Sequence, residues 1–268
     1  MDSGLRGFEI ARSEGRAALM PYMMAGFPDL ASSEAVADAY VAGGADVVEL
    51  GAPFSDPLAD GPVIHAAATR SLASGTRFDD VMALCSRIAR TTTVVPMIYA
   101  NTALTIGAER FAESLSANGA AAVIIPDLPP ESAGKLGEAL LARDVPTVPL
   151  VAPNTPPERR RRLVGEARAF VYVVSDTRVT GERDELPAHL SELVEAVKAD
   201  SPVPVAVGFG IGTPEQAAEV GRSADGVIIG SRLVRAVAEA PDAASAAGAV
   251  REFLTSARSA MAGAGTAA

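Results

Sequence analysis

Short apolar, β-rich runs recur eight times along this chain, at residues 18–24, 46–50, 94–99, 121–125, 146–151, 169–174, 203–207 and 226–229. Helical patterns fill the gaps, at 30–41, 79–89, 108–117, 131–142, 157–167, 188–199 and 214–220. Strict alternation of this kind sets successive strands parallel and covers both sheet faces with helices, which is why the runs are almost continuously apolar. An open doubly wound sheet and a closed (β/α)8, or TIM, barrel both satisfy it, and eight units over about 230 residues fit the barrel. We therefore expect an α/β fold, a TIM barrel with an extra N-terminal helix. The 268 residues, 49% of them hydrophobic, supply a core of that size. No Pro/Ser-rich or charged linker divides the chain, so one domain over residues 1–268 is expected, fraying after Ala262.

Several function classes are disfavoured by composition. A net charge of −10 opposes extended contact with nucleic acid, and the four arginines at 159–162 point around most of a helix, as a solvated surface does. Cys85 has no second cysteine to pair with and sits in a helical run, so it reads as a buried structural thiol. With only His65 and His189 and no clustered cysteines, neither a metal site nor a Ser/His/Asp triad is expected. His65 reads as a helix-surface residue. Asp2, Arg6, Glu9, Arg12 and Glu14 precede any apolar segment, and no run approaches membrane-spanning length. A soluble cytoplasmic protein without membrane contact is the expectation.

The richest chemistry lies where the second apolar run enters a loop, from Val47-Val48-Glu49-Leu50-Gly51 through Pro53, Asp56, Pro57 and Asp60 to Gly61-Pro62. Val47 and Glu49 share one strand face, Val48 and Leu50 the other, and in a buried parallel sheet both faces are apolar. A carboxylate there is desolvated, which raises its pKa toward neutrality and suits it to proton transfer. Asp60 follows eleven residues later, across a loop longer than the ~2–6 residues usual between strand and helix. Two carboxylates brought together invite acid and base roles.

Reactive groups in such a barrel sit where strands exit. Those ends carry Glu49, Tyr99 with Asn101, Asp127, Tyr172 with Ser175, Gly208-Phe209-Gly210 and Gly230-Ser231. Asn101 and Asp127 read equally well as caps or turn residues. The glycines after the last two runs let backbone amides approach an anion, with Thr213 and Pro214 opening one helix and Ser231 another. We read a site for a single small phosphate ester. A dinucleotide fold would need an acid at the end of the next strand, and Asp225 falls before it.

These segments resemble the tryptophan synthase alpha family from about Phe8 onward. The resemblance is carried by the stretch from Glu49 to Pro62, Met97-Ile98-Tyr99-Ala100-Asn101, Asp127-Leu128-Pro129, Val179-Thr180-Gly181, Gly208-Phe209-Gly210-Ile211 and Gly230-Ser231. It implies a lyase of L-tryptophan biosynthesis that cleaves indole-3-glycerol phosphate to indole and glyceraldehyde 3-phosphate. Glu49 would be the general acid and base, and Asp60 would hold the indole N–H. Tyr22 and Phe209 would wall the indole, Tyr172 would lie beside the reacting centre, and Thr180 would reach Asp60 from a closing loop. Gly181, Gly210, Gly230 and Ser231 would bind phosphate. The resemblance further implies an alpha2beta2 assembly in which Pro53, Asp56, Pro57 and Asn101 face a beta subunit. That partner carries pyridoxal phosphate, and no cofactor is expected in this chain. The family usually has glycine where this sequence has Arg178, which bears on loop closure. Ala52 and His65 are milder departures. A stand-alone indole-releasing lyase, a silent phosphate-binding module and an enzyme of another phosphate ester are the alternatives, the lysine-dependent aldolase being disfavoured by the lack of a strand-end lysine.

Overall fold

The computed structural model describes residues 5–174, 190–208 and 210–264. Its parallel sheet comprises β1 (Ala18–Met24), β2 (Val47–Gly51), β3 (Thr93–Met97), β4 (Leu150–Val151), β5 (Val171–Val174), β6 (Val205–Gly208) and β7 (Gly226–Ile229), in the order β3-β2-β1-β7-β6-β5-β4. First and last strands pair, with Ala18 opposite Gly226 and Pro21 opposite Ile229. The two remaining edges meet through residues 121–125, where Ile124 bridges to Met97 and Val123 to Thr147. Ile124 N–H donates to the Pro96 carbonyl and Val148 N–H to that of Val123, each at 2.9 Å. The ring is closed, which excludes the open doubly wound sheet.

The fourth and fifth apolar runs are less regular than their sequence suggests. Residues 121–125 join by isolated bridges, and the fifth run is a strand only at Leu150–Val151. Pro126, Pro146 and Pro149 flank or interrupt these runs, and each removes a ladder donor.

Alternation along each strand separates two apolar layers. Met20, Val47, Val95, Ile124, Val148 and Ile228 pack inside the barrel, whereas Leu19, Val48, Leu50, Val94 and Val123 pack outward in the layer shared with the helices. The expected N-terminal helix, Arg6–Ser13, closes the barrel floor: Phe8 joins the inner cluster and its ring lies 5.5 Å from that of Phe170. A Cβ on Gly7 would come within 2.3 Å of the Asp46 carbonyl, so only glycine lets the helix sit this close.

Three helices go beyond the sequence reading. Pro62–Ala73 follows the acidic loop, Ala100–Ile106 follows β3, and Ala243–Ala264 runs along the outside, carrying helical structure past Ala262. In the last, Ala246, Val250, Leu254, Ala257 and Met261 repeat every three or four positions and are buried. The helix expected at 131–142 opens as a 3-10 turn, Pro130–Ser132, before Gly134–Leu141. Among the described residues no helix is long and apolar enough to cross a membrane.

Candidate active site

The C-terminal ends of the strands surround one cavity, and Glu49, Asp60, Tyr22, Tyr172, Gly210, Gly230 and Ser231 all line it. Six strand-end or loop segments far apart in sequence thus converge, as the barrel requires. The rest of the wall is largely apolar, with Ile64, Met97, Ile124, Leu150 and Ile228. Such a lining suits a flat hydrophobic ring better than a sugar.

Glu49 lies on β2 between Tyr22 of β1 and Val95 of β3 and is 2% exposed. Among the described residues its Oε2 has no hydrogen-bond partner, nor does the buried Tyr22 hydroxyl. Burial, and then the nearby charge of Asp60, push the Glu49 carboxyl up to about 8. The proton is therefore retained at neutral pH.

Asp60 is held by a neighbouring loop. Tyr99 donates its hydroxyl to the Asp60 carboxylate and accepts from the Ala59 amide at 3.1 Å, while the Phe54 ring stacks on Tyr99 at 5.0 Å. Burial pushes the Asp60 carboxyl up to about 6, against the opposing influences of the Tyr99 hydrogen bond and the charge of His65. The two carboxyls are therefore split: near neutrality Glu49 is the acid and Asp60 the anion.

Glycine makes room for both inner tyrosines. A Cβ on Gly51 would lie 2.1 Å from the Tyr22 hydroxyl, and one on Gly208 would lie 2.1 Å from that of Tyr172. Burial, reinforced by the charges of Glu49 and Asp60, holds both phenols well above their usual pKa, so they stay protonated.

Fewer of the residues expected to hold an anion have free donors than the sequence suggests. Thr213 caps the helix Pro214–Gly221 as expected, but Gln216 completes a capping box and accepts from Gly212 N–H at 2.8 Å, so that helix end is already satisfied. Gly210, at φ +85°, and Gly230-Ser231 remain. Ser231 is buried at the first position of the helix Ser231–Glu239, whose N-cap, Gly230, has no side chain to cover the first-turn amides.

Thr180, Gly181, Phe209 and Arg178 lie outside the described residues, as does His189. Pro53, Asp56 and Pro57 belong to the loop that carries Asp60, with Asp56 exposed and the two prolines half-buried, and Asn101 is exposed on the helix Ala100–Ile106. The same loop carries Leu58 and the same helix Leu104, 83% and 66% exposed. Asp127 accepts from Ala100 N–H at 2.8 Å and so fixes the start of that helix. Cys85 is buried and its thiol is pushed up to about 12 by burial, as befits a structural role. His65 is exposed on Pro62–Ala73. Among the described residues no three His, Cys, Asp or Glu cluster to hold a metal.

Sequence reasoning placed Tyr99 at a strand end without a task, because its contact with residues 59 and 60 spans 40 positions. The apolar lining was partly available to it: Ile124 and Ile228 are inward-facing residues near strand ends.

A closed parallel barrel with paired carboxyls and a glycine-lined helix end on its C-terminal rim defines the class: a TIM-barrel protein with its site in the usual place for that fold. The family model for the tryptophan synthase alpha chain matches residues 8–263. A tryptophan synthase alpha chain of Synechococcus sp. (strain CC9902) is 48% identical over 238 residues, 87% of this chain and 88% of that one. One from Thermobifida fusca is 45% identical over 247 residues, 91% and 92% of the two chains. Among solved structures, Mycobacterium tuberculosis tryptophan synthase superposes with a TM-score of 0.88 at 37% identity, over 95% of this chain and 96% of the other. The alpha chain from Legionella pneumophila gives 0.85 at 32%, over 95% of each. The chain belongs to the tryptophan synthase alpha chain family.

Proposed function

We propose that this chain is a carbon–carbon lyase that cleaves indole-3-glycerol phosphate reversibly to indole and glyceraldehyde 3-phosphate, in L-tryptophan biosynthesis. The observation that carries the reading is the meeting of Glu49 and Asp60 in one apolar cavity beside Gly230-Ser231, their carboxyls split to about 8 and about 6. Cleavage needs a proton on the indole ring carbon that bears the glycerol chain, and a protonated Glu49 supplies it. The ring nitrogen takes up the positive charge, and ionised Asp60 accepts its N–H hydrogen bond. The adjacent hydroxyl then loses its proton, the carbon–carbon bond breaks, and its electron pair restores the aromatic ring as the aldehyde forms. Glu49, now ionised, is the base available for that hydroxyl proton. Tyr22 and Tyr172, kept protonated, are donors to the substrate, and Gly210, Gly230 and Ser231 hold the phosphate, with Gly181 joining them. Thr180 and Phe209 complete the closure over the ring.

The lyase acts with a tryptophan synthase beta subunit, in an alpha2beta2 assembly whose pyridoxal phosphate belongs to the partner. Exposed Leu58, on the loop of Pro53, Asp56 and Pro57, and Leu104, on the helix of Asn101, support that reading, since large apolar side chains so open to water suit a covered surface. The assembly is placed in the cytoplasm. Indole release by the purified chain, alone and with a beta subunit, tests the proposal. Slow release accelerated by the partner is expected. No release in either case overturns it, and fast release from the isolated chain removes the partner from the account.

A further inference from the structure

The opposite end of the barrel holds a second groove, of about 710 Å³, to which nothing in the proposed reaction gives a task. Its walls are the N-terminal helix Arg6–Ser13, the turns entering β2 and β3, and the end of the long C-terminal helix. Those walls are tied together. Thr92 donates to the Ala45 and Asp46 carbonyls at 3.2 and 3.0 Å, and Arg258 donates to the Gly44 carbonyl at 2.8 Å. A void with fixed walls is a better binding site than a gap between loops.

Charge singles this groove out in a chain of net charge −10. Arg6, Arg90 and Arg258 line it, against the single carboxylate of Asp46. Arg258 is neutralised, bonding Glu14 at 2.6 Å and Asp46 at 3.3 Å. Arg6 and Arg90 are exposed and have no carboxylate partner among the described residues. In a chain with ten more acids than bases, two arginines on one groove without a carboxylate partner among the described residues make a local positive site that attracts a small anion and holds it by planar, bidentate contacts. Two further features agree. Leu5, the N-cap of Arg6–Ser13, gives its first-turn amides no side-chain cap, and Arg6 and Gly7 of that turn line the groove. Ile10, 41% exposed, supplies an apolar wall for the ligand's body.

We propose that this N-terminal-face groove binds a small, multiply charged phosphate compound between the guanidinium groups of Arg6 and Arg90. The site is separate from the C-terminal rim, so two phosphate sites lie at opposite ends of one barrel. A ligand seated here touches the turns that start β2 and β3 and stabilises the folded chain by mass action.

Inorganic pyrophosphate is the probe, titrated calorimetrically near 0.15 M ionic strength, where charges beyond about 8 Å are screened. Three chains are compared: the wild type, Arg6→Gln/Arg90→Gln, and Ser231→Asp, whose new carboxylate repels anions from the rim. Saturable binding is expected in the wild type and in Ser231→Asp. The double variant should bind at least about tenfold more weakly, the loss expected for one charge-assisted contact, while still releasing indole at the wild-type rate. Equal affinity in the double variant, binding lost only in Ser231→Asp, or no saturable binding in the wild type would each overturn the assignment.

Discussion

Asp46 and Glu49 stand three residues apart, one entering β2 and the other near its end, and the barrel treats them in opposite ways. Asp46 is fully answered: Arg16 grips it with two guanidinium nitrogens, at 2.5 and 2.8 Å, and Leu19 N–H donates to it at 2.7 Å. Arg258 reaches it from the C-terminal helix. Glu49, equally buried, keeps an oxygen with no partner among the described residues and a carboxyl raised to about 8. At the N-terminal face a buried acid joins the first loop, the second strand and the last helix. At the C-terminal rim a buried acid is left ready to move a proton. Both are carboxylic acids, and the supply of partners decides between structure and chemistry.

The sharpest way to break this contrast is to remove each acid in turn. Glu49→Gln should lower indole release by at least about 10²-fold, the lower range for a lost general acid, with phosphate-ester binding preserved and no fall in melting temperature at neutral pH. Asp46→Asn should do the reverse. It leaves the Arg16 guanidinium, 1% exposed, with only the half-exposed Glu14 as its anion, at a cost of up to roughly 3–5 kcal/mol in unfolding free energy, measured by urea titration, while the folded fraction keeps its turnover.

The pH dependence sharpens it further. Glu49 and Asp60 both have folded-state values above their ordinary ones, so the unfolded chain gives up these protons first. The stability they contribute is fully present below about pH 4 and is lost as pH rises through about 6 and then about 8. Urea titrations across that window should show a falling stability, with a shallower slope above pH 6 in Glu49→Gln. The same split predicts a bell-shaped kcat/KM, rising as Asp60 ionises near pH 6 and falling as Glu49 ionises near pH 8.

The smallest effect is expected at Tyr99. Its hydrogen bond lowers the Asp60 value, so Tyr99→Phe should move the acid limb of that bell to higher pH. It should also cost about 1 kcal/mol through the Ala59 amide, which loses its acceptor. A variant that lost activity without moving the limb would remove Tyr99 from the support of Asp60.

The sequence disclosed most of the frame, because barrel strands are fixed by local pattern. The split of Val47 and Glu49 from Val48 and Leu50 follows from alternation alone, and the structure puts Val47 in the inner layer and Val48 and Leu50 in the outer one. Patterning failed where burial is not periodic or contrast is low. The helix Ala243–Ala264 is rich in Ala, Ser and Gly, so its buried stripe stands out weakly. The prolines at 146 and 149 leave an apolar run looking like a strand while removing its donors. Glu49 and Asp60 were legible as a strand-end pair, but the grip of Tyr99 and the room left by Gly51 and Gly208 are contacts between distant segments. No local signal encodes those.

The most direct measurement is the titration of carboxyl carbons by NMR in the intact chain labelled at glutamate, with Glu49→Gln to assign the resonance. The account predicts that Glu49 remains protonated at neutral pH and titrates near 8. A Glu49 signal that titrates near the ordinary glutamate value of about 4.3 would mean that burial leaves it an anion, and the division between the two ends of β2 would be wrong.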